Sequence, residues 1–215
     1  MIKELISKTI NTSSIVGMLG SSKKRNFDFV FKKMIEENGE LSASVLLSSQ
    51  GEYDGYDDGD GIVSECIDCL VTAIDIYSVY WANKGVSNLT ILDTLENIEH
   101  SEYVQSSSNI DIGEKSRKDI EALYMSVLVQ ASVSLSNTSV ALQMLDGDTY
   151  KNPDDYGFKN IDDMISVSTI EYMMFIMSIM NIELLQLDNK KTLIDYCVSS
   201  MWEKKLKKWV EKSKL

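Results

Sequence analysis

The chain has 215 residues, 44% of them apolar and 25% charged, enough to build a sizeable core in one domain or in two small ones. Its formal charge of −12 argues against a broad electrostatic grip on nucleic acid, while a free nucleotide held through a metal ion stays compatible with it. Residues 1–10 mix charged with apolar side chains, unlike a signal peptide, and the most apolar run, 172–182, lies between Glu171 and Glu183 and is too short to cross a bilayer, so a cytoplasmic location without membrane contact is expected.

Taken in order, residues 2–10 place Ile2, Leu5, Ile6 and Ile10 at helical spacing, and Asn-Thr-Ser-Ser at 11–14 reads as the break that ends that helix. Lys23, Lys24 and Arg25 form a basic loop that is either simply solvated or placed to meet a triphosphate. A helix over about 27–47 then carries Phe27, Phe31, Met34, Leu41 and Val45 on one seam, with Glu37 and Glu40 to one side. The Gly- and Asp-rich stretch 50–61 breaks helix and strand alike. Counted from Asp54, that stretch and Glu65 follow part of a calcium-loop pattern through Asp58 and Gly59, but Tyr56 and Gly61 depart from it, leaving a flexible acidic turn as the other reading.

The next helix, 62–81, is apolar almost all round, and its exceptions Glu65, Asp68, Thr72 and Asp75 gather in one stripe. Ionised carboxylates inside a protein require a cation, a basic partner or water, and no Lys, Arg or His occurs between Lys33 and Lys84. Packing this helix antiparallel to the preceding one lets Glu37, Glu40, Glu65 and Asp68 converge, a set of hard oxygen donors suited to Mg²⁺ or Mn²⁺. Cys66 and Cys69 stand one turn apart on the same helix; without a second such pair, and with His100 the sole histidine, they read as core thiols rather than a zinc site.

The segment Phe31-Lys-Lys-Met-Ile-Glu-Glu-Asn-Gly-Glu40, followed after 24 residues by Glu65-Cys-Ile-Asp68, resembles the EExxE…ExxD signature of the MazG-like all-α nucleoside triphosphate pyrophosphohydrolases, relatives of the dimeric dUTPases. The resemblance covers about a quarter of the chain. It implies an all-α helical bundle in which Glu37, Glu40, Glu65 and Asp68 hold Mg²⁺, with Glu36 on the first motif position. It also implies hydrolysis of a nucleoside triphosphate to the monophosphate and pyrophosphate. A carboxylate not fully committed to metal, Glu37 or Glu36, would then orient or deprotonate the attacking water, and Asp75, two turns beyond Asp68 on the same stripe, would reach the site through water. Lys204, Lys205 and Lys208 on the C-terminal helix match a region where related enzymes place phosphate-binding cations, although an ordinary solvated helix end has the same composition. A homodimer is a further expectation from the family.

Beyond 81, Asn83-Lys84-Gly85 reads as a helix stop, Leu89, Leu92, Leu95 and Ile98 as one short helix, and 106–113 as linker. Helices over about 117–145 and 162–187 follow, joined by a loop with the only proline, Pro153. Laid over the first hairpin they superpose Met34 on Leu128, Leu41 on Leu135, Ile67 on Ile170 and Leu70 on Met173, while Val45 meets Ser139. Glu36, Glu37, Glu40, Glu65 and Asp68 become Gln130, Ala131, Ser134, Ser168 and Glu171. The expected organisation is a catalytic half over 1–100 and a degenerate copy over 117–215 that has lost most ligands, unless two apolar hairpins merely align by chance. The rival to an enzyme is an inert nucleotide-sensing or helical interaction protein on the same scaffold.

Overall fold

The computed structural model describes residues 2–19, 27–50, 61–111, 115–186 and 191–213, the side chains of 19, 48–50 and 191–197 excepted. The fold is all-α: α1 (Ile2–Leu19), α2 (Phe27–Gln50), α3 (Ile62–Asn83), α4 (Asn88–Leu95), α5 (Glu102–Ser108), α6 (Arg117–Leu145), α7 (Ile161–Gln186) and α8 (Lys191–Lys212). Short 3-10 turns at Ile98–His100 and Pro153–Tyr156 complete the described elements. The basic loop with Lys23 and Lys24 and the calcium-loop pattern at 54–60 lie outside the described residues.

The centre of the molecule is α3, and its composition explains why. Ile62, Cys66, Ile67, Cys69, Leu70, Ala73, Ile74 and Ile76 are all buried, so the helix has neighbours on every side: α2, α7, α1 and α8. Each large aliphatic side chain so covered contributes about 1.5–3 kcal/mol. One apolar cluster runs from Leu5 and Ile10 through Met34 and Ile74 to Tyr172, Ile176 and Trp202, joining both halves of the chain in a common core. The hairpin of α2 and α3 and the hairpin of α6 and α7 pack chiefly through α3 against α7.

Several boundaries follow local chemistry. Ser116 caps α6 by accepting from the Asp119 amide while the Asp119 carboxylate accepts from the Ser116 amide. Ser87 and Ser101 cap α4 and α5 by accepting from the Thr90 and Val104 amides. Gly85, at a φ of 80°, takes the left-handed turn after α3 that a side chain would strain.

Other expectations are corrected. The Asn-Thr-Ser-Ser break does not occur, and α1 continues to Leu19. There Thr9 and Ser14 donate to the carbonyls of Leu5 and Ile10, and Ser13 donates to the buried Asp75 carboxylate at 2.6 Å, so the polar residues find partners inside a continuous helix. The serines at 106–108 belong to α5 rather than a linker, because Asn181 of α7 donates to the hydroxyls of Ser107 and Ser108. In α4 the buried face is Ile91 and Leu95, whereas Leu89 is 73% exposed. By length and composition α6 and α7 reach the dimensions of a membrane span, because α7 extends past Glu171 and Glu183. Those acids are accommodated by side chains of α6: Ser134 donates to Glu171, and Tyr124 donates to Glu183.

Candidate metal centre

The site forms where the first turns of α3 face the middle of α2. Glu65 and Asp68 are one turn apart on α3 and so project to the same side, toward Glu37 of α2. One carboxylate oxygen each from Glu37, Glu65 and Asp68 all lie within 4.8 Å of one another. Three negative groups this close repel, and burial removes the water that would screen them. Burial first, and the Asp68 charge second, push the Glu37 and Glu65 carboxyls up to about 7 each.

The degree of burial separates the three. Glu65 is 6% exposed, whereas the Asp68 and Glu37 side chains are 22% and 14% exposed, so the group opens on one side only. Glu65 Oε2 is buried and has no hydrogen-bond partner among the described residues. A buried carboxylate oxygen without a donor is costly, and a cation between the three carboxylates would satisfy it. The donor set is oxygen alone, which suits Mg²⁺ or Mn²⁺ and disfavours softer metals.

The remaining candidate residues lie around this group. Glu40 is exposed and outside the three-oxygen cluster, so the expected convergence of four carboxylates is seen for three; its charge still helps to raise Glu37 and Glu65. Glu36 is also exposed and pairs with Lys33 at 2.7 Å, while the same lysine lies 3.7 Å from Glu37. Asp75 lies outside the three-oxygen group: buried two turns along α3, it accepts from Ser13 of α1.

Of the C-terminal cations, Lys205 reaches the acids and donates to Asp68 Oδ2 from α8, its side chain 20% exposed. It supplies the basic partner that the sequence around α3 lacks. Lys204 and Lys208 are exposed on other faces of α8. Trp202, one turn earlier, sets the register: its indole N–H donates to Thr9 Oγ1 at 2.9 Å and anchors α8 across α1.

Sequence reasoning missed Asn38 and Tyr172. Asn38 is buried beside Glu37 on the core seam, and the fully buried Tyr172 of α7 donates to its Oδ1 at 3.2 Å. A polar residue interrupting an apolar seam next to the acids was the available signal. Cys66 and Cys69 are free, fully buried thiols packed behind the carboxylates, and burial pushes both up.

Comparison with protein-family models, with curated proteins and with solved structures finds no match to this chain. The reading of the site therefore stands on its geometry and on the motif residues.

Proposed function

We propose that the chain is a Mg²⁺-dependent nucleoside triphosphate pyrophosphohydrolase of MazG-like type, releasing a nucleoside monophosphate and pyrophosphate. The observation that carries this reading is the buried Oε2 of Glu65, unpartnered among the described residues, inside a three-carboxylate group contributed by two facing helices. The EExxE…ExxD spacing supports it, since Glu37, Glu65 and Asp68 are motif positions brought together by folding.

Glu37, Glu65 and Asp68 would hold Mg²⁺, or Mn²⁺ in its place, with Glu40 at the open edge. The ion supplies Lewis acidity toward phosphate oxygens and lowers the pKa of a coordinated water. Glu37, or Glu36 beside it on the rim and paired with Lys33, would orient the attacking water or take its proton. Lys205, and from the exposed faces of α8 Lys204 and Lys208, supply positive charge for the phosphates; Lys23 and Lys24 are candidates for the same task. Incubation with Mg²⁺ and a panel of (d)NTPs should release pyrophosphate; a panel that yields none overturns the assignment.

Lys205 is the internal cation that balances Asp68, and a divalent ion has to compete with it. Lys205→Ala is therefore expected to tighten Mn²⁺ binding by roughly fivefold, the worth of a partly exposed ion pair, while raising the KM for nucleotide. Calorimetric Mn²⁺ titration together with steady-state kinetics checks both signs. The same ion pair favours the second reading, a catalytically inert nucleotide-sensing or helical interaction protein in which Lys205 closes the site permanently. Under that reading Lys205→Ala gains metal binding without any turnover.

The second hairpin is proposed to be a degenerate copy of the first. Ser134 and Glu171, the counterparts of Glu40 and Asp68, meet across α6 and α7 at 3.3 Å, and Ser168, the counterpart of Glu65, is hydrogen-bonded to Thr138 at 2.9 Å. Neutral hydroxyls thus fill the place that acids fill in the first hairpin. For the homodimer expected of the family, the exposed Met125, Val129 and Val133 on α6 offer an uncharged face on a strongly acidic chain.

A further inference from the structure

Besides Lys205 of α8, the half of the chain without the acidic motifs reaches the surroundings of the site through Tyr172 of α7. Tyr172 lies on α7 and is fully buried, with its ring in the common core. Its hydroxyl donates to Asn38 Oδ1 on α2 at 3.2 Å, and it lies beside the Cys69 thiol on α3. Both residues are sequence neighbours of proposed metal ligands, Asn38 of Glu37 and Cys69 of Asp68. One hydroxyl of α7, a helix packed along α3, therefore holds α2 at the level where the carboxylates converge.

The brace opposes a specific force. Glu37 repels Glu65 and Asp68, which lie on another helix, so a non-covalent tie on α2 helps to hold Glu37 at ligating distance. Apolar packing of Met34 and Leu41 holds the helices together but leaves sliding and rotation comparatively soft, whereas a buried hydrogen bond fixes register. Tyr172 also falls on Cys69 when the second hairpin is laid over the first, so the two touching residues occupy equivalent positions of the paired hairpins.

We propose that Tyr172 is a positioning residue for the metal centre, holding Glu37 against Glu65 and Asp68 through its bond to Asn38 and the packing of α7 on α3. The second hairpin then has a task beyond bulk: it supplies the clamp that the first cannot make for itself. This inference rests on the metal-dependent reading of the three carboxylates, and its test separates the two.

Mn²⁺ affinity is measured directly by calorimetry on the full chain for the wild type, Tyr172→Phe, Asn38→Ala and the double variant. Tyr124→Phe serves as the comparison, because it deletes the same atom from another buried tyrosine, one bonded to Glu183 instead. Tyr172→Phe is expected to weaken Mn²⁺ binding by roughly tenfold, as loss of a support behind metal ligands does. Asn38→Ala should weaken it to a similar extent, and the double variant no further than the worse single one. Tyr124→Phe should lower thermal stability yet leave Mn²⁺ affinity within about twofold. Equal affinity in wild type and Tyr172→Phe overturns the positioning role while leaving the metal centre standing. A wild type that binds no Mn²⁺ overturns both, and additive losses in the double variant overturn the shared brace.

Discussion

Glu65→Gln is expected to abolish metal-dependent pyrophosphate release, by on the order of 100-fold or more, while making the metal-free protein more stable at alkaline pH. The two effects share one cause. Glu65 is 6% exposed and its Oε2 has no donor among the described residues, so in the absence of a cation its ionised form is held at a loss, as its carboxyl pushed up to about 7 records. Glutamine has the same shape and lacks the charge. Its neutral amide oxygen is a much weaker ligand than a carboxylate, and it removes the repulsion from Asp68, the second cause of the shift. A carboxylate with a purely structural role behaves in the opposite way, since its loss lowers the melting temperature. Glu37→Gln should show the same pairing of effects, smaller in stability because Glu37 is less buried and has Lys33 nearby. Differential scanning calorimetry and pyrophosphate release on the same preparations check both readouts; a Glu65→Gln protein that retains turnover contradicts the assignment.

The second large effect is an unusual dependence of stability on pH. Glu37 and Glu65 have folded-state values of about 7 against an ordinary 4.5, so between those limits the folded chain keeps protons that the unfolded chain has released. Where the folded state binds more protons, stability falls as pH rises, and it levels off once the folded carboxyls have ionised. Glu183, raised chiefly by burial in the α6–α7 hairpin, adds to the same trend. The metal-free protein is therefore expected to melt roughly 5–10 °C lower at about pH 8 than at about pH 5.5. Divalent ions bind the ionised carboxylates, so Mg²⁺ should restore most of the loss at the higher pH and do little at the lower one. Glu65→Gln removes one contributor and should flatten the metal-free slope without abolishing it. A melting temperature that climbs steadily from acid to alkaline pH, with no response to Mg²⁺, contradicts this account.

Much of the scaffold was legible because long helices announce themselves by period. The seam of Phe31, Met34, Leu41 and Val45 is buried as its spacing implies, and α6 and α7 begin and end within one residue of the expected positions. The burial of Glu65 followed from the apolar surroundings of its stripe on α3. What failed depended on partners distant in sequence. Asn-Thr-Ser-Ser reads as a break only if its hydroxyls face water, and the Asp75 carboxylate behind Ser13 reverses that choice. The serines of α5 are polar by composition and are held in a helix by Asn181. Leu89 and Ile91 are both apolar, and which one turns inward depends on where α1 lies.

The site shows the same division between local and distant causes. Spacing places Glu65 and Asp68 on one face of α3 and Glu37 on the facing side of α2. Spacing does not distinguish Glu37 from Glu40, because the tilt between two helices decides which of the pair points inward, and here Glu40 stays exposed. Lys205 entered as one of three equivalent cations; Trp202, seated on Thr9, selects it for Asp68. Nothing local to either half points to Tyr172, whose bond to Asn38 spans 134 residues of chain.

The most direct measurement is a crystal structure of the full chain grown with Mn²⁺, with diffraction collected where manganese scatters anomalously. The account predicts one anomalous peak bounded by the carboxylates of Glu37, Glu65 and Asp68, with Lys205 turned away from Asp68. Full Mn²⁺ exposure with no peak there, and Lys205 still bonded to Asp68, would contradict it.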